Sequence, residues 1–143
     1  MVDIGLAHIA LPVRSLAASI AFYARFANMQ VVHSRLGVAW ISDGTRPFAI
    51  VLLESTAETI PLLLPYAHLG VGVASRAEVD RLCQLARDAQ CLVREPEDSG
   101  PPVGYWALLR DPDGHTLELA YGQAVGRTIE TATELNPARG RSE

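Results

Sequence analysis

Two short stretches of alternating apolar and polar or small residues read as one pattern written twice. Leu6-Ala7-His8-Ile9-Ala10-Leu11-Pro12-Val13 lies 60 residues before Tyr66-Ala67-His68-Leu69-Gly70-Val71-Gly72-Val73. The Ala-His pair recurs, and apolar residues follow at the same alternate positions. Each stretch predicts a strand, with His8 and His68 at equivalent points and on the same face. A helical stripe follows each strand. Ser15 is a good N-cap, and Leu16, Ile20, Tyr23 and Phe26 or Ala27 recur behind it at helical spacing. Ser75 with Glu78 three residues on forms a capping box, and Val79, Leu82, Cys83 and Ala86 make the second stripe. Both stripes read as core packing.

More strands follow each helix: about 29–35, 37–42 and 47–54 in the first half, and 90–94, 104–110 and 115–121 in the second. Asp43-Gly44 and Asp111-Pro112-Asp113-Gly114 supply turns. The fold class is therefore α+β, with strand–helix–strand–strand–strand occurring twice. Module one spans 4–55, a linker with Pro61 and Pro65 spans 56–65, module two spans 66–122, and a polar tail spans 123–143. Residues 95–103, rich in proline and acidic side chains, read as a loop able to overhang a site. In the tail, Thr128 to Leu135 predicts a short helix, and Arg139-Gly140-Arg141-Ser142-Glu143 is expected to fray.

Composition narrows the classes. The 143 residues suit one domain able to bury a core without staples. With 49% hydrophobic and 20% charged residues, global disorder is excluded. A formal net charge of −4 argues against nucleic acid or an anionic membrane as partner. The two cysteines, Cys83 and Cys91, exclude a disulfide scaffold and read as buried thiols. The start, Met1-Val2-Asp3-Ile4, carries an acid where a signal peptide is basic, and the apolar run Phe48–Leu53 is too short to span a bilayer. The expectation is a soluble, cytoplasmic protein.

Polar residues at inward positions carry the chemistry. His8 and His68 lie in apolar strands, and Glu118 lies in His115-Thr116-Leu117-Glu118-Leu119-Ala120-Tyr121. An ionised carboxylate buried without a partner costs several kcal/mol, so it needs a cation or donors. Two imidazoles and one carboxylate form a ligand set for Fe, Zn, Mn, Ni or Co that leaves positions open for water and substrate. Alone, a strand histidine is more often a hydrogen-bonded structural residue, and a strand glutamate more often faces water. The repeat-equivalent pair plus the carboxylate gives the set its force. His33 and His115 read as exposed, and Trp106 and Leu108 share the parity that would wall a pocket beside Glu118, with Tyr105 pointing the other way.

The chain resembles the vicinal oxygen chelate superfamily, which includes glyoxalase I, fosfomycin-resistance proteins, extradiol dioxygenases and bleomycin-resistance proteins. Five segments between about residues 4 and 122 carry the likeness: Ala7–Val13, Ser19–Tyr23, Tyr66–Val71, Arg110–Gly114 and His115–Leu119. The resemblance implies two βαβββ modules forming an incomplete curved barrel, paired within one chain or across a homodimer. It implies a divalent metal held by His8, His68 and Glu118, and a small oxygen-bearing substrate chelated by that metal. Matching Phe48–Leu53 to residues 114–119 places Leu52 opposite Glu118, so a fourth ligand is missing there. Glu54, two residues on, is the candidate fourth ligand or general base, against a plain reading as a solvated strand end.

Several departures weigh on the subclass. Ala10 stands where fosfomycin-type members place threonine, and the chain has no lysine for a phosphonate. Leu108 stands where ring-cleaving dioxygenases place tyrosine, and nothing marks Arg14, Arg25 or Arg35 as more than surface charge. The leading expectation is a metal-dependent lyase, isomerase or dioxygenase. The alternative is a non-catalytic protein that sequesters a drug or metabolite, as bleomycin-resistance members do.

Overall fold

A computed structural model describes residues 5–136. In chain order the elements are β1 (His8–Val13), α1 (Leu16–Ala27), β2 (Gln30–Arg35), β3 (Val38–Ser42), β4 (Ala49–Glu54), β5 (Leu69–Gly72), α2 (Arg76–Asp88), β6 (Leu92–Asp98), β7 (Tyr105–Arg110), β8 (Thr116–Tyr121) and α3 (Val125–Leu135). The four strands of each repeat form one mixed sheet, β1-β4-β3-β2 and β5-β8-β7-β6. In both, the first strand runs parallel to the last and the other pairings are antiparallel. The two sheets are not closed into a barrel.

Alternation sorts each sheet into two faces. Ile9, Leu11, Val13, Ile50 and Leu52 of one sheet share a core with Leu109, Leu117 and Leu119 of the other. Phe22, Tyr23 and Phe26 of α1 and Leu82 and Ala86 of α2 fill that core. Each fully buried leucine or isoleucine contributes about 1.5–3 kcal/mol. Both sheets therefore turn their helix-covered faces to a common interior, which leaves their opposite faces open.

Polar contacts lock the modules at the Asp-Pro-Asp-Gly turn. The Oδ1 atom of Asp111 accepts from the backbone N–H groups of Asp113, Gly114 and His115, each at 2.9 Å. Its Oδ2 accepts from the buried Tyr23 hydroxyl at 2.9 Å. His115, expected at the surface, is only 1% exposed. The Leu63 N–H donates to its Nδ1 at 3.0 Å, so Nε2 carries the proton and donates to the Pro12 carbonyl at 2.8 Å. Following a turn suggested solvent, but these two backbone partners bury the ring.

Other boundaries moved. β6 runs on to Asp98, so residues 95–98 are strand where a loop was expected. Pro96 is accommodated because β6 is an edge strand with a register shift between Arg94 and Glu97. Ser75 caps α2 by accepting from Glu78 N at 3.1 Å, but the Glu78 carboxylate engages Arg81, so the capping box is half formed. α3 begins three residues before the expected Thr128. The expected fraying of 139–143 and the reading of Met1–Ile4 lie outside the described residues. Among the described residues, no helix is long and apolar enough to cross a membrane.

Candidate metal centre

Strand register positions His8 and Glu118, whereas His68, expected within a strand, is exposed and immediately precedes β5. Leu69 pairs with Leu117 and Gly70 with Glu118, whereas Ile9 pairs with Ile50 and Ala10 with Val51. Val51, not Leu52, is thus the module-one counterpart of Glu118. Leu52 faces the shared core and is fully buried. The one-residue difference also settles where Glu54 lies. It shares the helix-covered face with Ile50 and Leu52, and its Oε2 accepts from Leu16 N at 3.0 Å, at the first turn of α1. Glu54 is therefore spent on a helix N-terminus, where a carboxylate is favoured, and stands apart from the faces bearing His8 and Glu118.

His68 and Glu118 do come together. His68 Nε2 lies 3.3 Å from Glu118 Oε2. His68 Nδ1 lies 2.7 Å from the Tyr66 carbonyl oxygen, which can only accept, so Nδ1 carries a proton. A neutral His68 then presents the lone pair of Nε2 to a carboxylate oxygen. A doubly protonated ring instead donates Nε2–H to Glu118, and on the neutral ring a cation can be shared by the two lone pairs. The pinned Nδ1–H is the arrangement that orients metal-binding histidines. Glu118 is only 7% exposed, and its other oxygen accepts from Gln123 Nε2 at 2.7 Å. The donor set, one imidazole nitrogen and one carboxylate oxygen adjoining each other, fits a divalent ion. Gly70 lines the approach, its missing Cβ lying 4.0 Å from Glu118 Oε1.

His8 does not join them. It is exposed on the open face of the first sheet, its ring stacked on Trp40 with centroids 6.2 Å apart. His33 meets the same indole edge-on at 6.0 Å and is exposed, as expected. Among the described residues, no group of three or more metal-ligating side chains meets within the chain. Within one copy, then, two of the three expected ligands converge.

The walls follow the predicted parity. Leu108 pairs with Glu118 and Trp106 with Ala120, so both side chains share the Glu118 face. Tyr105 points the other way, its hydroxyl donating to Asp80 of α2 and its ring lying under Arg76 at 4.2 Å. Arg94 on β6 covers Trp106 at 4.6 Å and pairs with Glu97 at 2.7 Å. Sequence reasoning missed Trp40, Gln123 and the Tyr66 carbonyl. Alternation in β3 would have put Trp40 opposite in facing to Ala39 and Ile41. Gln123 had no signal, because it lies just beyond the strand pattern.

A pair of four-stranded mixed sheets, each built from a βαβββ repeat and each offering an open face, defines the class of fold. The chain belongs to the Glyoxalase/Bleomycin resistance protein/Dioxygenase superfamily, whose family model matches residues 5–119. It is 39% identical over 127 residues to an uncharacterized protein of Pseudomonas aeruginosa, covering 85% of this chain and 91% of that one. Its fold is similar to that of a fosfomycin resistance protein from Listeria monocytogenes. That likeness has a TM-score of 0.68 at 22% identity and covers 88% of this chain and 99% of the other. It is equally similar to the trypanothione-dependent glyoxalase I of Leishmania major, with a TM-score of 0.68 at 20% identity over 95% of this chain and 99% of that one.

Proposed function

We propose that the protein is a divalent-metal-dependent enzyme, a lyase, isomerase or dioxygenase, acting on a small substrate with neighbouring oxygen donors. The observation that carries this reading is the His68–Glu118 pair, whose proton-bearing Nδ1 leaves Nε2 facing a carboxylate oxygen. His68 and Glu118 would supply two ligands. His8 would supply the third from a second copy of the chain, because its own copy keeps it on a different sheet. The exposed Trp40 and Leu53 on the His8 face, 41% and 40% exposed, support a partner there, since open apolar sheet faces mark interaction surfaces. A solved structure of a point variant of the Listeria fosfomycin resistance protein holds Mn(II) and a dihydroxypropylphosphonic acid, which supports a metal in this fold.

When bound, a divalent ion supplies Lewis acidity, polarising substrate oxygens and stabilising an oxyanion. The chain's residues do the rest. Gln123 fixes one oxygen of Glu118, and Tyr66 fixes the His68 ring, so neither has to reorganise. Trp106 and Leu108 exclude water from one side of the site. Elemental analysis of protein purified without chelator or metal-affinity resin tests the proposal. About one first-row metal per chain, lost in His68→Ala and in Glu118→Ala, is expected. Absence of metal and of uptake on titration would overturn it in favour of a protein that sequesters a drug or metabolite.

A further inference from the structure

A second concavity lies away from His8, His68 and Glu118, where the two modules meet. It is a cleft of about 390 Å³ between α1 and the turn joining α2 to β6, closed at one end by the Asp-Pro-Asp-Gly turn. Its apolar lining is Ala21, Pro112 and the small exposed parts of Phe22 and Phe26, which are 8% and 3% exposed. Arg25, Arg110 and Cys91 also line it.

The charge is what distinguishes this cleft. The molecule is acidic overall, yet two guanidinium groups line the cleft. Among the described residues, neither Arg25 nor Arg110 pairs with a carboxylate. The carboxylate in the lining, Asp111, has both oxygens occupied, by three backbone N–H groups and by Tyr23. Arg110 spends Nη2 on the Gln90 carbonyl at 2.9 Å, which leaves Nη1 and Nε as donors. Arg25 lies over the Phe26 ring at 5.2 Å. Both cations act on the Cys91 thiol in the sense that favours its thiolate, against the larger opposing effect of burial.

We propose that this junction cleft binds a small organic anion, a phosphate or carboxylate head on a flat apolar body, with the head between Arg25 and Arg110 and the body against the apolar lining of the cleft. Guanidinium groups take such heads through paired N–H donors. The site is independent of the metal-centre reading, and because it touches both modules its occupancy would brace their junction.

The probes are phenyl phosphate and benzoate, titrated calorimetrically into the full chain, with inorganic phosphate and phenol as the separated halves. Saturable binding of phenyl phosphate or benzoate, tighter than either half, is expected, and the stronger of the two identifies the head group. Arg25→Met and Arg110→Met should each weaken it about tenfold, whereas Arg94→Ala, on the open sheet face, should leave it unchanged. Arg25 is an exposed helix residue, so Arg25→Met tests the site without threatening the fold. Arg110→Lys keeps the charge and one donor for Gln90 should Arg110→Met unfold. Failure of both anions to saturate, or binding that survives Arg25→Met intact, would overturn the proposal. So would loss of binding in Arg94→Ala, which would move the site to the sheet.

Discussion

Tyr23 and Asp111 show how one buried hydrogen bond ties two modules together. Burial, first, and then the Asp111 charge push the Tyr23 phenol far above its ordinary range, so it stays a donor at every working pH. Tyr23→Phe removes that donor and leaves a buried carboxylate oxygen without a partner, at a cost of about 1–3 kcal/mol. Urea unfolding should show a lower midpoint with an unchanged slope. Neither residue's role was legible from the chain, because Tyr23 looked like one more member of an apolar stripe. Burial likewise pushes the Cys83 thiol up to about 11, and raises Cys91 less. Iodoacetamide at neutral pH should therefore spare Cys83 in the folded protein and label both once urea is added. Glu54 makes the sharpest contrast at this scale. Since its carboxylate caps α1, Glu54→Gln should lower the melting temperature while leaving metal content as in the wild type. Metal loss in that variant would restore it as a ligand.

Elements were easier to read than their mutual register. Alternation marked β8 and the parity of Trp106, Leu108 and Tyr105, since a strand's period of two is a local property. The alignment of β4 with β8 slipped by one residue, because neither carries a landmark that survives in its mate. Only the pairing of Ile9 with Ile50 and Leu69 with Leu117 sets it. Beside the end of β8, Gly104 shows what such local reading omits. Its φ is +83°, and a Cβ there would overlap the Tyr121 carbonyl oxygen, so Gly104→Ala must displace backbone where β7 begins. Edge-strand and helix charges contribute a small, solvent-screened part of the pH response. Arg81 hydrogen-bonding to Glu78, Arg87 to Glu95, and the Gly100 N–H to Asp98 each hold a carboxyl below its ordinary value. Their stabilisation is present above the unfolded carboxylate range and is lost as pH falls through the lowered values. The melting temperature should hold from about pH 7 to about 5 and decline below it, with a shallower decline in Glu95→Gln.

At the scale of the whole molecule, the open faces decide how the site is completed. One copy brings His68 and Glu118 within 3.3 Å and strands His8 beside Trp40. The repeat in the sequence made all three histidine and carboxylate positions visible, but repeat symmetry says nothing about whether mates belong to the same copy. If module one of one chain faces module two of another, a two-fold dimer carries two equivalent sites, each drawing on both chains. His8→Ala and His68→Ala homodimers should then each lack the metal. Unfolding the two variants together and refolding the mixture gives half heterodimers. In each of these one site has lost both histidines and the other has kept both. Metal content should return to about a quarter of the wild-type value. Sites closed within a single chain would give no recovery at all, because every chain in the mixture lacks one of its own ligands.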